Sequence, residues 1–328
     1  MDPLLQITDL HVSFPGATGP VHAVNGVSLA LTAGRTLAIL GESGSGKSVT
    51  AQAVMGILDV PPARVTGSVT LRGRELLTLE PKQRDRVSGE EIGMVFQDAM
   101  AALNPVFTVG DQLTELLRVR RGLSRADARR RAVELVDRVR IPAAKDRVRD
   151  YPHQFSGGMR QRIMIALAIA LEPAVLIADE PTTALDVTVQ AQVMELIAEI
   201  QRDSGMALLL ITHDLGVVAE VADDVAVMYA GRLVERGTVE QIFDGPAHPY
   251  TEGLLASMPR VDRRDEQLYA IPGAPPNPAR LPTGCPFHLR CHRVTDECRT
   301  ALPALEPLPA GRASACHHHA EVLHATQR

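Results

Sequence analysis

The stretch RTLAILGESGSGKSVT, Arg35 to Thr50, decides the fold. It opens with the apolar run Leu37–Leu40, which reads as a buried strand. It passes through three glycines in six residues and continues as SVTAQAVMGIL, with apolar residues at helical spacing. Strand, glycine loop and helix in that order make a phosphate cradle. Glycines let the backbone curl so that several N–H groups face one anion, and the helix that follows adds its positive N-terminal end. Gly41 to Ser48 fits the pattern G-x-x-x-x-G-K-S. The expected contacts run through Gly41, Glu42, Ser43, Gly44, Ser45, Gly46, Lys47, Ser48 and Val49. Lys47 would reach the outer phosphates of ATP, and the Ser48 hydroxyl would ligate Mg²⁺. Lysine occurs only at 47, 82 and 145, against a background of arginine, so Lys47 stands out as a placed group.

A second stretch, VLIADEP at 175–181, is a continuous apolar strand ending in two acids. Asp179 is positioned to hold Mg²⁺, and Glu180 to accept a proton from an attacking water. Such sites gather at the C-terminal edge of a parallel sheet. A third, QFSGGMRQR at 154–162, places Ser156, Gly157 and Gly158 at the start of a helix. There, bare N–H groups form another anion site. One phosphate loop plus a second anion-binding helix start invites a dimer in which each subunit offers its second site to the γ-phosphate held by the other; an ordinary Ser N-cap with a Gly-Gly turn is the alternative.

The rest of the chain bounds these readings. It has 328 residues, 45% apolar and 22% charged, with a formal net charge of −5. Overall basic character of the kind that favours nucleic acid is missing. The arginine-rich RVRRGLSRADARRRAVELVDRVR at 118–140 interleaves Leu, Val and Ala at helical spacing and reads as a solvated helix pair. The N-terminus shows no basic region followed by an apolar run, and the longest apolar stretch is interrupted by Glu172-Pro173. A cytosolic chain that meets the membrane only through a partner is expected. Strand and helix patterns alternate over most of the length, which predicts α/β class with a mainly parallel sheet covered by helices.

Near Pro246 the composition turns rich in proline and glycine, and the last eighty or so residues read as a separate, loop-rich appendage. All four cysteines lie there. Cys285, Cys291, Cys298 and Cys316 form C-x5-C-x6-C-x17-C. Clustering in a reducing compartment points to metal rather than disulfides, although the spacing matches neither a zinc ribbon nor the ferredoxin run; four free thiols are the alternative. His317, His318 and His319 adjoin the last cysteine and read as surface residues, with extra ligation the other reading.

The motifs, taken together, resemble those of the ATP-binding-cassette ATPases, in the family's order throughout residues 1 to 245. GESGSGKS resembles the Walker A loop and Gln97 in MVFQDAM the Q-loop glutamine. FSGGM resembles the signature, with Phe155 and Met159 in place of the commoner Leu and Gln. VLIADEP resembles Walker B. ALD at 184–186 resembles the D-loop, preceded by Thr183 where Ser is common, and ITHD resembles the switch region with His213. The resemblance implies a P-loop NTPase with a RecA-like core, an antiparallel β subdomain and a helical signature subdomain at about 98–157. It implies that Gln97 touches Mg²⁺ or the attacking water, that His213 contacts the γ-phosphate and holds Glu180, and that Asp186 lies at a dimer interface. The family stacks an aromatic on adenine; Phe14 is the candidate, with His22 second.

Within the family, the tail stretches HPYTEGLLASMP, IPGAPPNP and TGCPFHLRC resemble the oligopeptide, dipeptide and nickel importer ATPases, as does QDAMAALNP, where Ala99 replaces a usual proline. The loop region is closer to the first of that group's two paired subunits. The resemblance implies residues 246–328 as a C-terminal metal-binding region holding a [4Fe–4S] cluster on Cys285, Cys291, Cys298 and Cys316, with zinc as the alternative. It implies a heterodimer with a related cassette, two membrane permeases and an extracytoplasmic solute-binding protein, at the cytoplasmic face of the inner membrane. Peptide is the favoured cargo; nickel and glutathione stay open, as does a redox-regulated cassette.

Overall fold

The computed structural model describes residues 2–17, 19–183, 185–258 and 269–326. Contact density divides the chain into two units, each assembled from segments distant in sequence.

The first unit comprises Met1–Leu4, Leu31–Arg35 and Thr78–Ile211. Its strands Ile92–Val95, Val175–Asp179 and Ala207–Ile211 run parallel, with Ile92 opposite Val175 and Val175 opposite Ala207. Every residue of all three is buried, which is why each reads as an unbroken apolar run rather than an alternation. The arginine-rich stretch forms the helices Val109–Arg121 and Arg125–Arg138, as expected. Thr108 and Ser124 cap them by accepting from the amides of Asp111 and Asp127, each at 3.1 Å. Leu113, Leu117, Ala128, Ala132 and Leu135 turn inward. Several of the arginines pair with acids at the surface, as Arg130 does with Asp127 at 2.7 Å. Two further helices, Gly157–Ile169 and Val187–Ser204, carry the signature and follow the second strand's acids.

The second unit comprises Leu5–Ala30, Thr36–Leu77 and Thr212–Arg328. An antiparallel sheet orders Val21–Leu31, Leu5–Phe14, Arg64–Leu71 and Arg74–Glu75 side by side, with Leu5 opposite Leu71. The strand Thr36–Leu40 pairs in parallel with Asp224–Tyr229, which turns back antiparallel into Arg232–Thr238. The residues after Pro246 depart here from the expected separate appendage. Ala313–Ser314 extends the sheet, Ser314 lying opposite Glu235. Tyr250 and Phe287 are buried among Ala38, Leu40, Val227 and Tyr229. Four aromatic rings supply much of that packing: Tyr229 and Tyr250 lie 4.6 Å apart between centroids, Tyr229 and Phe287 5.3 Å, and His248 and Phe287 5.8 Å. A tail with little periodicity thus gains stability by sharing a core with strands far earlier in the sequence. Among the described residues no helix is long and apolar enough to cross a membrane.

Candidate nucleotide site

The phosphate loop belongs to the second unit. It leaves the strand Thr36–Leu40 at Gly41 and enters the helix Lys47–Met55 through Gly46, whose left-handed backbone (φ 102°) caps the helix without a side chain. The first amides of that helix therefore have no side-chain oxygen of their own cap to bind. Two glycines are demanded by packing. A Cβ at Gly41 would stand 2.3 Å from the carbonyl oxygen of Met228, and one at Gly46 2.4 Å from that of Ala23. Ser43 and Gly44 form the exposed tip, Ser45 is buried, and Ser48 and Val49 are half-buried. Lys47 is 5% exposed, and its Nζ donates to the carbonyls of Gly41 (2.8 Å) and Glu42 (3.0 Å). An ammonium folded over the loop in this way stands where a polyanion would draw it.

The acids belong to the first unit. Asp179 ends the buried strand Val175–Asp179 and is itself buried. Glu180 turns the chain with φ +46°, a left-handed conformation uncommon for a residue with a side chain. It is held there on both sides. Its N–H donates to Ile211 O at 2.8 Å. Its carboxylate accepts from Gln97 Nε2 at 3.1 Å and from the Thr183 hydroxyl at 2.9 Å. The structure thus brings Gln97 and Glu180 together, and explains why Thr serves in place of Ser at 183: either hydroxyl can donate.

The signature also lies in the first unit. Ser156 caps the helix Gly157–Ile169 by accepting from Met159 N at 3.3 Å, as its sequence position predicts. Phe155 is buried beneath the Arg147 guanidinium, 4.6 Å from the ring centre, so the substitution of the usual Leu fills an apolar socket. Asp186 caps the helix Val187–Ser204 by accepting from Val189 N at 3.0 Å; Ala184, in the same D-loop, lies outside the described residues. In the second unit, His213 is exposed and followed by Asp214, which caps the helix Leu215–Val221. Phe14 ends its strand half-buried and His22 is exposed.

The four cysteines are unbridged. Among the described residues no group of three or more His, Cys, Asp or Glu gathers as a single metal ion requires, which lends zinc no support. The segments that carry them are nevertheless linked: Cys285 N–H donates to Cys298 O at 2.8 Å, and the Thr295 hydroxyl meets both Cys298 Sγ at 3.4 Å and His318 Nε2 at 3.0 Å. Burial pushes Cys316 up to about 12, and Cys285, Cys291 and Cys298 each add to the rise by like charge. Burial likewise pushes Cys285 up to about 11, with smaller like-charge contributions from Cys298 and Cys291. Backbone amides of Arg293 and His318 donate to the sulfurs of Cys291 and Cys316, each at 3.4 Å. The adjacent histidines bond to oxygens: His317 Nε2 to Ala301 O at 3.1 Å, His318 Nε2 to the Thr295 hydroxyl at 3.0 Å.

Two partners of the loop were not legible in sequence. Arg290 and Tyr250, both in the tail, bind Glu42, and the only hint is that both fall inside tail motifs that carry no assigned role.

The family model for ABC transporters matches residues 24–183, from before the phosphate loop to just past the acidic strand Val175–Asp179. The ATP-binding cassette MJ0796, solved as a dimer in a post-hydrolysis state with ADP and Pi, superposes with TM-score 0.64. It is 25% identical, over 72% of this chain and 98% of its own. The cassette cbiO1 from Clostridium perfringens gives 0.63 at 29% identity, over 74% of this chain and 91% of its own. The chain belongs to the ABC transporter ATPases, in their oligopeptide/dipeptide branch, as a second family model and two relatives matched over nearly the whole chain show. That second model, the oligopeptide/dipeptide transporter C-terminal region, matches residues 234–298. The oligopeptide transport ATP-binding protein OppD of Salmonella typhimurium is 50% identical over 98% of this chain and 95% of its own. The dipeptide transport ATP-binding protein DppD of Bacillus subtilis is 51% identical over 92% and 91%.

Proposed function

We propose that this chain hydrolyses ATP to energise import of di- and oligopeptides, working at the cytoplasmic face of the membrane beneath two permeases served by an extracytoplasmic binding protein. The observation that carries this reading is half-identity to peptide-transport ATPases along nearly the whole chain, tail included.

The site residues take the following roles. Amides of the loop Gly41–Val49, other than that of Glu42, which Tyr250 holds, bind the phosphates, and Lys47 neutralises them. Ser48, Asp179 and Gln97 hold Mg²⁺, which when bound shields charge on the outer phosphates. Glu180 orients the attacking water and takes its proton, and Thr183 and Gln97 fix its carboxylate. His213 contacts the γ-phosphate. Ser156, Gly157 and Gly158 bind the γ-phosphate held by a second, related cassette, with Asp186 at that interface. Phe14 stacks on adenine. Binding energy reaches the permeases only as a difference between the closed and open pairs.

Cys285, Cys291, Cys298 and Cys316 would be the ligands of a [4Fe–4S] cluster. Backbone N–H donors to the sulfurs of Cys291 and Cys316 would tune it. Bound there, it would cross-link a loop-rich tail and offer one-electron chemistry.

The test of the ATPase assignment is Glu180→Gln in the assembled transporter. MgATP affinity is expected to stay within about threefold while kcat falls by about 10³. Ordinary turnover in this variant would remove Glu180 from the role of base.

A further inference from the structure

Glu42, the loop residue after Gly41, is tied at three points, and the tail supplies two of them. Its N–H donates to the Tyr250 hydroxyl at 2.8 Å. Its carbonyl accepts from Lys47 Nζ at 3.0 Å. Its carboxylate accepts from both terminal nitrogens of Arg290, at 2.6 and 3.0 Å. The arginine is no surface group reaching inward, since its side chain is 4% exposed. Its guanidinium carbon lies 5.9 Å from the ring centres of both Tyr229 and Phe287. All five of its N–H groups find acceptors: Nε gives to Pro272 O at 2.9 Å, and the remaining two terminal hydrogens go to Tyr229 Oη and Ile271 O, each at 3.4 Å.

We infer that Arg290 and Tyr250 are positioning residues for ATP binding, holding the phosphate loop in its receptive curl from behind. The inference rests on reading Gly41–Ser48 as the ATP-binding loop. Two physical effects combine. The Tyr250 hydroxyl fixes the Glu42 amide before any ligand arrives, so less ordering is left to be done on binding. The Arg290 fork compensates a carboxylate that would otherwise sit uncancelled beside a site for a polyanion. Lysine could cancel the charge but not the geometry, because a single ammonium cannot form the paired bonds. By reciprocity, a bound nucleotide stabilises the segment carrying Arg290, and whatever orders that segment raises affinity for the nucleotide.

The experiment is calorimetric titration of the full-length chain with MgATP, with thermal melting of the same samples. Four variants are compared: Arg290→Met, Arg290→Lys, Tyr250→Phe and Arg293→Met. Arg293 is the control, since it pairs within the tail, with Glu252 at 3.3 Å. Kd is expected to rise about tenfold in Arg290→Met, about threefold in Tyr250→Phe and by an intermediate factor in Arg290→Lys. Arg293→Met should stay within about twofold of the parent. Tyr250→Phe keeps the ring in the core and loses only the hydroxyl, so it carries the test should Arg290→Met fail to fold. Lower melting temperatures with unchanged Kd in Tyr250→Phe and Arg290→Lys would reduce both residues to fold stability and overturn the inference. Failure of the parent chain to bind MgATP would instead overturn the reading of the loop.

Discussion

The chain contains two glycine-rich helix starts suited to anions, and they are built differently. At the phosphate loop the glycines answer to the chain's own backbone: carbonyl oxygens of Met228 and Ala23 stand where side chains at 41 and 46 would go. Lys47 is buried and Glu42 is tied at backbone and side chain. At the signature, Ser156 and Gly157 are exposed. Gly158 is crowded, since a Cβ there would stand 2.5 Å from Val189 Cγ1, but a Cβ at Gly157 would meet only Leu185 Cδ2 at an ordinary 3.8 Å. One site is completed by its own protein. The other keeps a glycine that its own packing does not require, as a site would if the close approach came from a nucleotide carried by another subunit.

The strongest way to break this contrast is at the loop. Gly41→Ala forces a methyl onto a backbone oxygen at φ +153°, where no flexible neighbour can yield. MgATP binding is expected to weaken by about 100-fold in calorimetric titration. Binding near the parent value would show that the loop re-forms around an added methyl and that its glycines are not sterically fixed.

The signature pair sharpens the comparison. Gly158→Ala overpacks against Val189 and should cost about 1–3 kcal/mol of stability in urea denaturation. Gly157→Ala should change stability by no more than about 0.5 kcal/mol, yet lower ATPase activity of the assembled transporter about tenfold. If Gly157→Ala hydrolysed ATP normally, the exposed glycine would have no role in a second subunit's nucleotide site.

How much of this was legible in sequence follows the range of the interactions. The phosphate loop, the acidic strand and the Ser156 cap are local devices, each specified by a short stretch of neighbouring residues, and the structure places them on the expected elements. The left-handed turn at Glu180 leaves no mark, because glutamate is an ordinary residue there in every respect but its backbone. The brace on Glu42 was invisible for a different reason. Its partners lie 208 and 248 positions away, and a single arginine or tyrosine in a proline-rich tail has no periodicity to give it away. The same absence of pattern made the tail read as an appendage, when strand pairing at Ser314 and the burial of Phe287 draw it into the core. The cysteines were visible as a set, while their mutual influence required the fold.

A pH dependence separates the braced site from the open one. His248 is 1% exposed and caps the helix Pro249–Ala256 with Nδ1, which accepts from Tyr250 N at 3.0 Å. Burial pushes its pKa down from 6.5 to about 3, so the folded protein keeps the ring neutral while the unfolded chain takes up a proton. The unfolded state therefore binds more protons throughout that interval. The stabilising effect is complete above pH 6.5 and erodes as pH falls from there toward 3, by about 1.4 kcal/mol for each unit once well below 6.5. Urea denaturation at pH 7.5, about 6 and about 5 should show this loss, and His248→Asn, whose side-chain oxygen can accept the same amide proton without titrating, should remove its share of the slope. Residues 156–158 contain no titratable side chain, so acid should loosen the cap from which Tyr250 reaches the loop without any matching change at the signature cap. An equal slope in the parent and His248→Asn would mean that the buried ring takes up its proton in the folded state, and would leave the tail's hold on the phosphate loop independent of acid in this range.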